Sequence, residues 1–276
     1  MLGQLFTVAG EELKYGFIYL RHQISSAQQG KAKVLVNGSP KSGTTWMLKM
    51  IASLPGYEDV GNYYGDLRKY HQTQPGHVVH GHDAYTPELK EILAAEGIRV
   101  IMMVRDPRDQ LVSRMFHVKR SVNHVWHERM KDMDNDEALM MCIEGREKLP
   151  STHDMIALAQ TWLNNKDTGA LCMRYEELLA NPESHFATVL EFIGIANNRS
   201  LAEVIVERNR FSRLSMGKRI WQTQRKPGQE DANSHFRKGI VGDWRNYLTP
   251  AHIARFKELC GQQLIDLGYE KDFDWS

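Results

Sequence analysis

One segment of the chain combines glycine, lysine and hydroxyl residues in a spacing that suits an anionic ligand. It runs Gly38-Ser-Pro-Lys-Ser-Gly-Thr-Thr-Trp46 and follows a short apolar run that ends at Asn37. The backbone N–H groups of such a loop can approach a phosphate, and a helix that begins after it adds favourable partial charge. Lys41 adds a full positive charge, and Thr44 and Thr45 add hydroxyl donors. The segment therefore predicts a phosphate-binding loop.

The loop differs from the Walker A loop of nucleoside triphosphatases. That motif ends in Gly-Lys-Ser/Thr, which places the lysine on the terminal phosphates and a hydroxyl on magnesium. Here Thr44 follows Gly43, and the lysine lies upstream at position 41. This difference argues against a P-loop kinase acting on a small molecule, which is the alternative enzyme class. A nucleotide-binding module without catalysis is a third interpretation.

A second group of residues that could do chemistry is His80-Gly-His82-Asp83. If these residues continue a strand, the two histidines share one face and lie roughly 7 Å apart. They could bind a metal ion together with Asp83 or His77. They could also be buried core histidines, or one of them could act as a general base, because the pKa of histidine is about 6.5.

Two more segments carry cationic groups that suit a second phosphate. Arg105 stands where a buried strand ends, and Ser113 lies two helical turns further on. An arginine presents a rigid fork of donors that matches phosphate oxygens. Much later, Arg237-Lys-Gly-Ile-Val-Gly-Asp-Trp244 places two cations before a glycine. Such a run is a solvated basic loop in many proteins, but here it could close over an anion.

These segments together resemble the motifs of the cytosolic-type sulfotransferases, which use 3′-phosphoadenosine 5′-phosphosulfate (PAPS). Pro40–Trp46 resembles the 5′-phosphosulfate loop of that family, and Val104–Ser113 resembles its R(N/D)PxDxxxS segment. Arg237–Trp244 resembles its RKGxxGDW loop over the 3′-phosphate. The likeness covers roughly residues 33–267.

The resemblance implies a role for each matching residue. His82 would be the general base, Lys41 would act on the leaving group, and no metal ion would be needed. Trp46, Tyr175 and Phe211 would flank the adenine. The implied donor-binding residues are Lys41, Ser42, Gly43, Thr44, Thr45, Trp46, Arg105, Ser113, Tyr175, Phe211, Arg237, Lys238 and Gly239.

The chain departs from the family at two places. The family carries a lysine two residues before the catalytic histidine, and His80 stands at that position here. The charge at this position would thus be absent or dependent on pH. The family's short dimerisation stretch after the aspartate–tryptophan pair is not matched by residues 247–256, which leaves the oligomeric state open.

The elements that must position these residues alternate between strand and helix. Strands are predicted at 33–37, 78–82, 99–104 and 170–175, with helices at 9–27, 44–53, 86–96, 107–119, 153–166, 182–193 and 250–267. This order predicts a single α/β domain over residues 1–276, with a central parallel sheet flanked by helices. Its site should lie after Asn37, His82, Val104 and Tyr175, because ligands gather at the carboxyl ends of parallel strands. Residues 214–242 should form an irregular loop that binds the 3′-phosphate.

The composition suits an enzyme that acts on a small molecule. The formal net charge is +1, so no overall field favours nucleic acid. Three separated cysteines and the absence of an apolar leader or membrane span predict a cytoplasmic protein. Residues 61–77 and 121–150 are rich in tyrosine and methionine and include Trp126. They would line a pocket for an apolar or aromatic acceptor.

Overall fold

The computed structural model describes residues 13, 15–19, 30–195, 199–215 and 225–276. Within this part of the chain, five strands form one sheet in which all neighbouring strands run parallel, in the order β2-β3-β1-β4-β5. The strands are β1 (Lys33–Gly38), β2 (Glu58–Asn62), β3 (His77–His80), β4 (Ile98–Val104) and β5 (Leu171–Arg174). The predicted α/β class with a parallel sheet is confirmed.

Helices follow most strands, as the sequence predicts. They are α1 (Thr44–Ala52), α2 (Pro87–Glu96), α3 (Pro107–Arg120), α4 (His127–Met130), α5 (Asn135–Glu144), α6 (Thr152–Leu163), α7 (Tyr175–Ala180), α8 (Pro182–Phe192), α9 (Arg199–Arg208), α10 (Phe211–Leu214) and α11 (Pro250–Asp266). None of the described helices has the length and apolar composition to cross a bilayer. Of the helix predicted at 9–27, residues 15–19 are helical and most of the others lie outside the described residues.

Alternation along the central strands decides which helices cover which face of the sheet. In β1, Val34 and Val36 pack with α1, α8 and α9 on one face, whereas Leu35 packs with α2 and α6 on the other. Successive strand side chains point to opposite faces, so a strand that is buried on both sides must be apolar at nearly every position. β4 and the Val34–Val36 segment of β1 meet this requirement, and both strands occupy inner positions in the sheet.

The structure corrects three details of the sequence interpretation. The strand expected at 78–82 is β3 and ends at His80, so His82 lies in the loop after it. β2 was not predicted, because Glu58–Asn62 is an edge strand whose side chains are mostly exposed and polar. Tyr175, which the sequence places at the end of a strand, is the first residue of α7. The irregular loop predicted at 214–242 contains no helix or strand over residues 225–242. Its residues 216–224 lie outside the described part of the chain.

Parallel pairing brings the carboxyl ends of the strands to one edge. Val36 of β1 pairs with His80 of β3, and Gly38 pairs with Met103 of β4. The loops that follow β1, β3 and β4 therefore leave the sheet side by side, as expected for ligand sites in this class of fold.

A buried amide ties two of these loops together. Asn37 is fully buried, and its side-chain Nδ2 donates to the carbonyl of Asp83 at 2.9 Å. The backbone N–H of Asp83 donates to Asn37 Oδ1 at 3.0 Å. The two bonds hold the chain just after His82 against the end of β1.

We expect Asn37→Ala to destabilise the protein by about 1–3 kcal/mol, because it leaves the N–H of Asp83 without this partner in a partly buried place. A urea titration followed by circular dichroism would measure the shift in the unfolding midpoint. The matched control is Asn165→Ala, which removes an exposed amide bonded to Thr161. That control should change stability by less than about 0.5 kcal/mol. Equal midpoints for the two variants would contradict the assigned role of Asn37.

Candidate active site

The loop between β1 and α1 has a strained backbone at Lys41. Lys41 adopts φ 73°, a left-handed conformation that costs a residue with a Cβ about 1–2 kcal/mol. Ser42 N donates to Ser39 O at 3.1 Å, and Ser39 Oγ donates to Met155 O of α6 at 2.5 Å. Strain of this kind persists only where the surroundings hold it, and it is frequent at ligand-binding loops.

Glycine at position 43 is required by a neighbouring ring. Gly43 has φ 100°, and a Cβ added there would lie 2.6 Å from Cδ2 of Tyr175. No side chain fits in this space without moving the tyrosine. Gly43 is also the N-cap residue of α1, so the loop leads directly into the first turn of this helix.

Two of the three aromatic side chains predicted to flank the adenine, Trp46 and Tyr175, lie beside this loop. The rings of Trp46 and Tyr175 meet edge to face, with centroids 6.0 Å apart. Trp46 Nε1 donates to Asn209 O at 3.0 Å, just before α10. Phe211 is the first residue of α10, and its ring lies directly against Gly239, where a Cβ would come within 2.4 Å of Phe211 Cδ2. The structure thus brings Trp46 into contact with Tyr175. Phe211 instead packs against Gly239 of the loop 237–244, which we call the second glycine loop.

Arg105 connects β4 to the phosphate loop. Its guanidinium donates to Lys41 O at 3.3 Å and lies 4.4 Å from the centroid of the Tyr175 ring. Arg105 Nε and Ser42 Oγ are buried but have no hydrogen-bond partner among the described residues. A buried donor without a partner costs about 1–3 kcal/mol, so these atoms suit an anion that would satisfy them.

One face of α3 holds the second glycine loop in place. The Asp109 carboxylate, fully buried, accepts hydrogen bonds from Gly242 N at 2.8 Å and Trp244 N at 3.0 Å. Burial raises the pKa of Asp109, while the positive charge of Arg105 opposes that rise. Ser113 follows one turn later and is half-buried on the same face, since residues four apart on a helix are neighbours.

The cations of the second loop already have carboxylate partners. The Arg237 guanidinium pairs with Glu230 and Asp243, and Lys238 Nζ lies 2.6 Å from Asp243 Oδ1. Burial opposes ionisation of Asp243, but hydrogen bonds from Lys238, Asn246 and Arg237 hold its pKa below the usual value. These carboxylates keep the two cations close together.

The geometry of His82 determines its tautomer. Its Nδ1 lies 2.5 Å from the carbonyl oxygen of Gly38. A carbonyl can only accept, so Nδ1 carries the proton and Nε2 carries a lone pair. Burial lowers the pKa of His82, against the opposing effect of the Gly38 hydrogen bond. His82 is therefore neutral at pH 7 and can accept a proton at Nε2.

The other two polar side chains of the His80-Gly-His82-Asp83 segment, His80 and Asp83, form hydrogen bonds with residues outside the segment. His80 Nε2 lies 2.9 Å from Thr44 Oγ1, and burial, then His82 and Lys41, lower the pKa of His80 to about 4. The carboxylate of Asp83 accepts from the hydroxyl of Tyr70 at 2.6 Å and from Gly65 N at 3.0 Å. In the described part of the chain, no three His, Cys, Asp or Glu side chains gather as metal ligands would.

Lys41 lies in a strongly electropositive place. Burial, and then the positive charges of Arg120, Arg105 and Arg237 in that order, lower the pKa of its ammonium to about 7. Like charges in a partly desolvated cleft favour the neutral amine. An anion bound among these groups would reverse the shift.

The sequence interpretation missed three residues beside this cleft: His117, Arg120 and His235. Arg120 donates to Ser234 O at 2.8 Å, and its second terminal nitrogen lies 3.3 Å from His117 Nδ1 and 3.4 Å from His235 Nδ1. The available signal was spacing, because His117 and Arg120 follow Ser113 by four and seven residues on one helix face.

The predicted acceptor pocket is only partly supported by the packing. The ring of Tyr64 lies 5.4 Å from that of His82 and is half exposed. Trp126 and Met130 instead pack into the core beside α3 and α5.

Known proteins with similar sequences extend over most of this chain. Cytosolic sulfotransferase 3 of Arabidopsis thaliana is 26% identical over 248 residues, which are 84% of this chain and 77% of that protein. Sulfotransferase 2B1 of Homo sapiens is 24% identical over 95% of this chain and 75% of its own length.

Solved structures with the same fold include a mouse sulfotransferase, SULT7A1, complexed with PAP. It superposes with a TM-score of 0.64 at 24% identity, covering 90% of this chain and 92% of that one. A retinol dehydratase in a complex with retinol and PAP gives a TM-score of 0.61 at 17% identity, over 90% of this chain and 86% of the other. The family model of the sulfotransferase domain matches residues 31–268, and the chain therefore belongs to the sulfotransferase family and is a sulfotransferase.

Proposed function

We propose that this sulfotransferase takes the sulfuryl group from PAPS and transfers it to a hydroxyl or amine of a small acceptor. The observation that carries the proposal is the unsatisfied anion site at the carboxyl ends of β1 and β4. There, Ser42 Oγ and Arg105 Nε are buried without hydrogen-bond partners in the described part of the chain, and burial and neighbouring cations lower the pKa of Lys41 to about 7. Resemblance to family members bound to PAP favours an adenosine nucleotide with two phosphates.

The two phosphates would occupy different groups of donors. The amides and hydroxyls of residues 42–45 and the Lys41 ammonium would hold the 5′-phosphosulfate. Arg105, Ser113 and the loop of Arg237, Lys238 and Gly239 would hold the 3′-phosphate. The adenine would lie among the aromatic side chains of Trp46, Tyr175 and Phe211.

Transfer would proceed by in-line attack, and the chain would supply position and charge. The acceptor oxygen forms a bond to sulfur as the bond between sulfur and the 5′-phosphate oxygen breaks. His82 Nε2 takes the acceptor proton, and the bond from Nδ1 to Gly38 O stabilises the imidazolium that results. Lys41 and the loop amides stabilise the negative charge that builds on the departing phosphate. No step in this scheme uses a metal ion.

An apolar or aromatic acceptor is the substrate class that we propose. Tyr64 presents a half-exposed ring beside His82. The relatives named cytosolic sulfotransferases and the three free cysteines, two of them buried, favour a cytoplasmic location.

Affinity for the second phosphate tests the nucleotide assignment. We expect 3′-phosphoadenosine 5′-phosphate (PAP) to bind at least about tenfold more tightly than adenosine 5′-phosphate, a difference of about 1.4 kcal/mol. Calorimetry with both nucleotides would measure the ratio. Ser113→Ala should reduce the ratio while it leaves the affinity for adenosine 5′-phosphate unchanged. Equal affinities of the wild-type protein for the two nucleotides would contradict the 3′-phosphate site.

The roles of His82 and Lys41 can be separated by comparing turnover with binding. His82→Ala should lower kcat by about 10²–10⁴-fold, the contribution of general-base catalysis, because no other group receives the proton. PAP affinity should stay within about threefold of the wild type, since His82 acts on the acceptor. Lys41→Ala should lower both kcat and PAP affinity.

His153→Ala is the matched control for His82→Ala, because His153 is exposed on α6 and should affect neither quantity. If His82→Ala kept more than about a tenth of the wild-type rate, the assignment of the general base would be wrong.

The lowered pKa of Lys41 predicts how donor binding depends on pH. The free ammonium loses its proton as the pH rises through about 7, whereas a bound anion raises its pKa. Above pH 7, PAP binding should therefore take up a proton, and affinity should fall by up to about tenfold per pH unit. Calorimetry in buffers of different ionisation enthalpy would count the protons. Lys41→Met should bind PAP more weakly and show a flat profile from about pH 7 to pH 9. An unchanged slope would assign the proton to another group.

A further inference from the structure

The carboxylate of Asp83 is a polar group next to the proposed general base that the transfer scheme does not use. Its Oδ2 accepts a hydrogen bond from the hydroxyl of Tyr70 at 2.6 Å, and its Oδ1 accepts from Gly65 N at 3.0 Å. Tyr70 is fully buried, whereas Gly65 is exposed. Burial, and then the hydrogen bond to Asp83, raise the pKa of Tyr70, so its hydroxyl keeps the proton that it donates. Asp83 therefore joins a buried side chain to the backbone of a surface loop.

The backbone of Asp83 is fixed to two elements of the core. Its carbonyl oxygen accepts from Trp162 Nε1 of α6 at 2.8 Å and from Asn37 Nδ2 of β1 at 2.9 Å. Its N–H donates to Asn37 Oδ1 at 3.0 Å. The Tyr70 hydroxyl also packs against Gly81, where an added Cβ would lie 2.9 Å from its oxygen. The carboxylate is thus anchored to a strand and a helix, independently of the loop that it holds.

The loop after β2 is held on both sides of Tyr64. The backbone N–H of the residue before Tyr64 donates to His80 O at 3.1 Å, and the N–H of Gly65 donates to Asp83. The two neighbours of Tyr64 are therefore bonded to residues that lie just before and just after His82. This arrangement brings the two rings together, with centroids 5.4 Å apart and planes inclined by 49°.

Tyr64 exposes a large ring where the acceptor must approach. Its exposed fraction is 51%, although its ring lies beside that of His82. His82 Nδ1 is bonded to Gly38 O, so the acceptor hydroxyl must come within about 2.6–3.2 Å of Nε2 on the same ring. An acceptor in that position also meets the ring of Tyr64. A flat aromatic acceptor gains more from this contact than an aliphatic one, because aromatic rings attract each other at centroid distances of about 4.5–7 Å.

The contact favours binding only if the ring of Tyr64 is already in place. A side chain on a free surface loop loses conformational freedom when a ligand orders it, and this loss weakens binding. The hydrogen bond from Gly65 to Asp83 fixes the loop before an acceptor arrives. Asp83 thus acts on the acceptor through Tyr64, without contact between its carboxylate and the reacting atoms.

We propose that Asp83 is a positioning residue that holds Tyr64 against His82 through its bond to Gly65, and that the ring of Tyr64 selects flat phenolic acceptors. The proposal rests on the proposed function. It divides the segment around the general base into two tasks: His82 takes the proton, and Asp83 fixes the surface that the acceptor ring contacts.

The test measures steady-state transfer from saturating PAPS to 2-naphthol, a flat phenol. Tyr64→Ala and Asp83→Ala should each raise the KM for 2-naphthol by about tenfold, the value of one aromatic contact, and leave kcat within about threefold. PAP affinity, measured by calorimetry, should stay within about threefold for both variants. The double variant Tyr64→Ala/Asp83→Ala should raise the KM by no more than about threefold beyond either single change, because both changes remove the same contact.

Conservative variants separate this role from a merely structural one. Asp83→Asn keeps an oxygen that can accept from Gly65 N, and Tyr64→Phe keeps the ring, so both should have a KM within about threefold of the wild type. Asp66→Asn is the matched control, because the Asp66 carboxylate on the same loop pairs with the exposed Arg68. It should behave as wild type. If Asp83→Ala does not fold, Asp83→Ala/Tyr70→Phe replaces it, since that variant leaves no buried hydroxyl without its partner.

Several outcomes would overturn the proposal. A fall in kcat at unchanged KM for Asp83→Ala would place the effect of the carboxylate on His82 itself. Effects of Tyr64→Ala and Asp83→Ala that multiply in the double variant would show that the two residues act independently. A KM for Asp83→Asn as high as that for Asp83→Ala would assign the effect to charge instead of the bond to Gly65. A wild-type protein that transfers to alcohols or amines but not to 2-naphthol would contradict the choice of acceptor. The proposed function fails separately, if the wild-type protein transfers nothing from PAPS to any acceptor in a panel of phenols, alcohols and amines.

Discussion

The site depends on keeping several cations together in a partly buried cleft before any anion arrives. Like charges at such distances repel by energies that burial makes larger. Burial, and then the charges of three arginines, lower the pKa of Lys41 to about 7. Several features of the protein support this arrangement. Carboxylates pair with some of the cations, helices and strands fix the positions of the others, and two histidines contact Arg120.

The carboxylates are distributed unevenly, and the distribution separates the functions of the two ends. Asp243 and Glu230 hold Arg237 and Lys238 in place, and Asp109 fixes the backbone of the same loop at Gly242 and Trp244. Ion pairs hold the cations of that end in place and neutralise part of their charge. The Lys41 end lacks such partners among the described residues, so its charge is available to a group that develops charge of its own. Preorganised positive charge of this kind is a large source of transition-state stabilisation in enzymes.

The aromatic and glycine residues of the site act together. Gly43 allows the phosphate loop to lie against Tyr175, and Gly239 allows the second loop to lie against Phe211. A Cβ at either position would overlap a ring, so both loops depend on the absence of a side chain where they approach the aromatic groups. Arg105 also contacts Tyr175, and this links the cation, the ring and the first glycine loop in one packing unit.

The sequence by itself determined the fold class, and it predicted phosphate-binding loops at residues 38–46 and 237–244. Apolar strands such as Lys33–Gly38 and Ile98–Val104 need burial on both faces, and the motif residues are contiguous in the chain. The sequence does not predict the edge strand Glu58–Asn62, because an exposed polar strand has no alternation of apolar residues. It also places Tyr175 in a strand, whereas Tyr175 begins a helix. Only the tertiary structure decided that Asp83 bonds Tyr70 and Gly65, that His80 contacts Thr44, and that Arg120 lies against His235. The reason is physical: these contacts join residues from different strands and helices, so burial and direction depend on packing that no local spacing encodes.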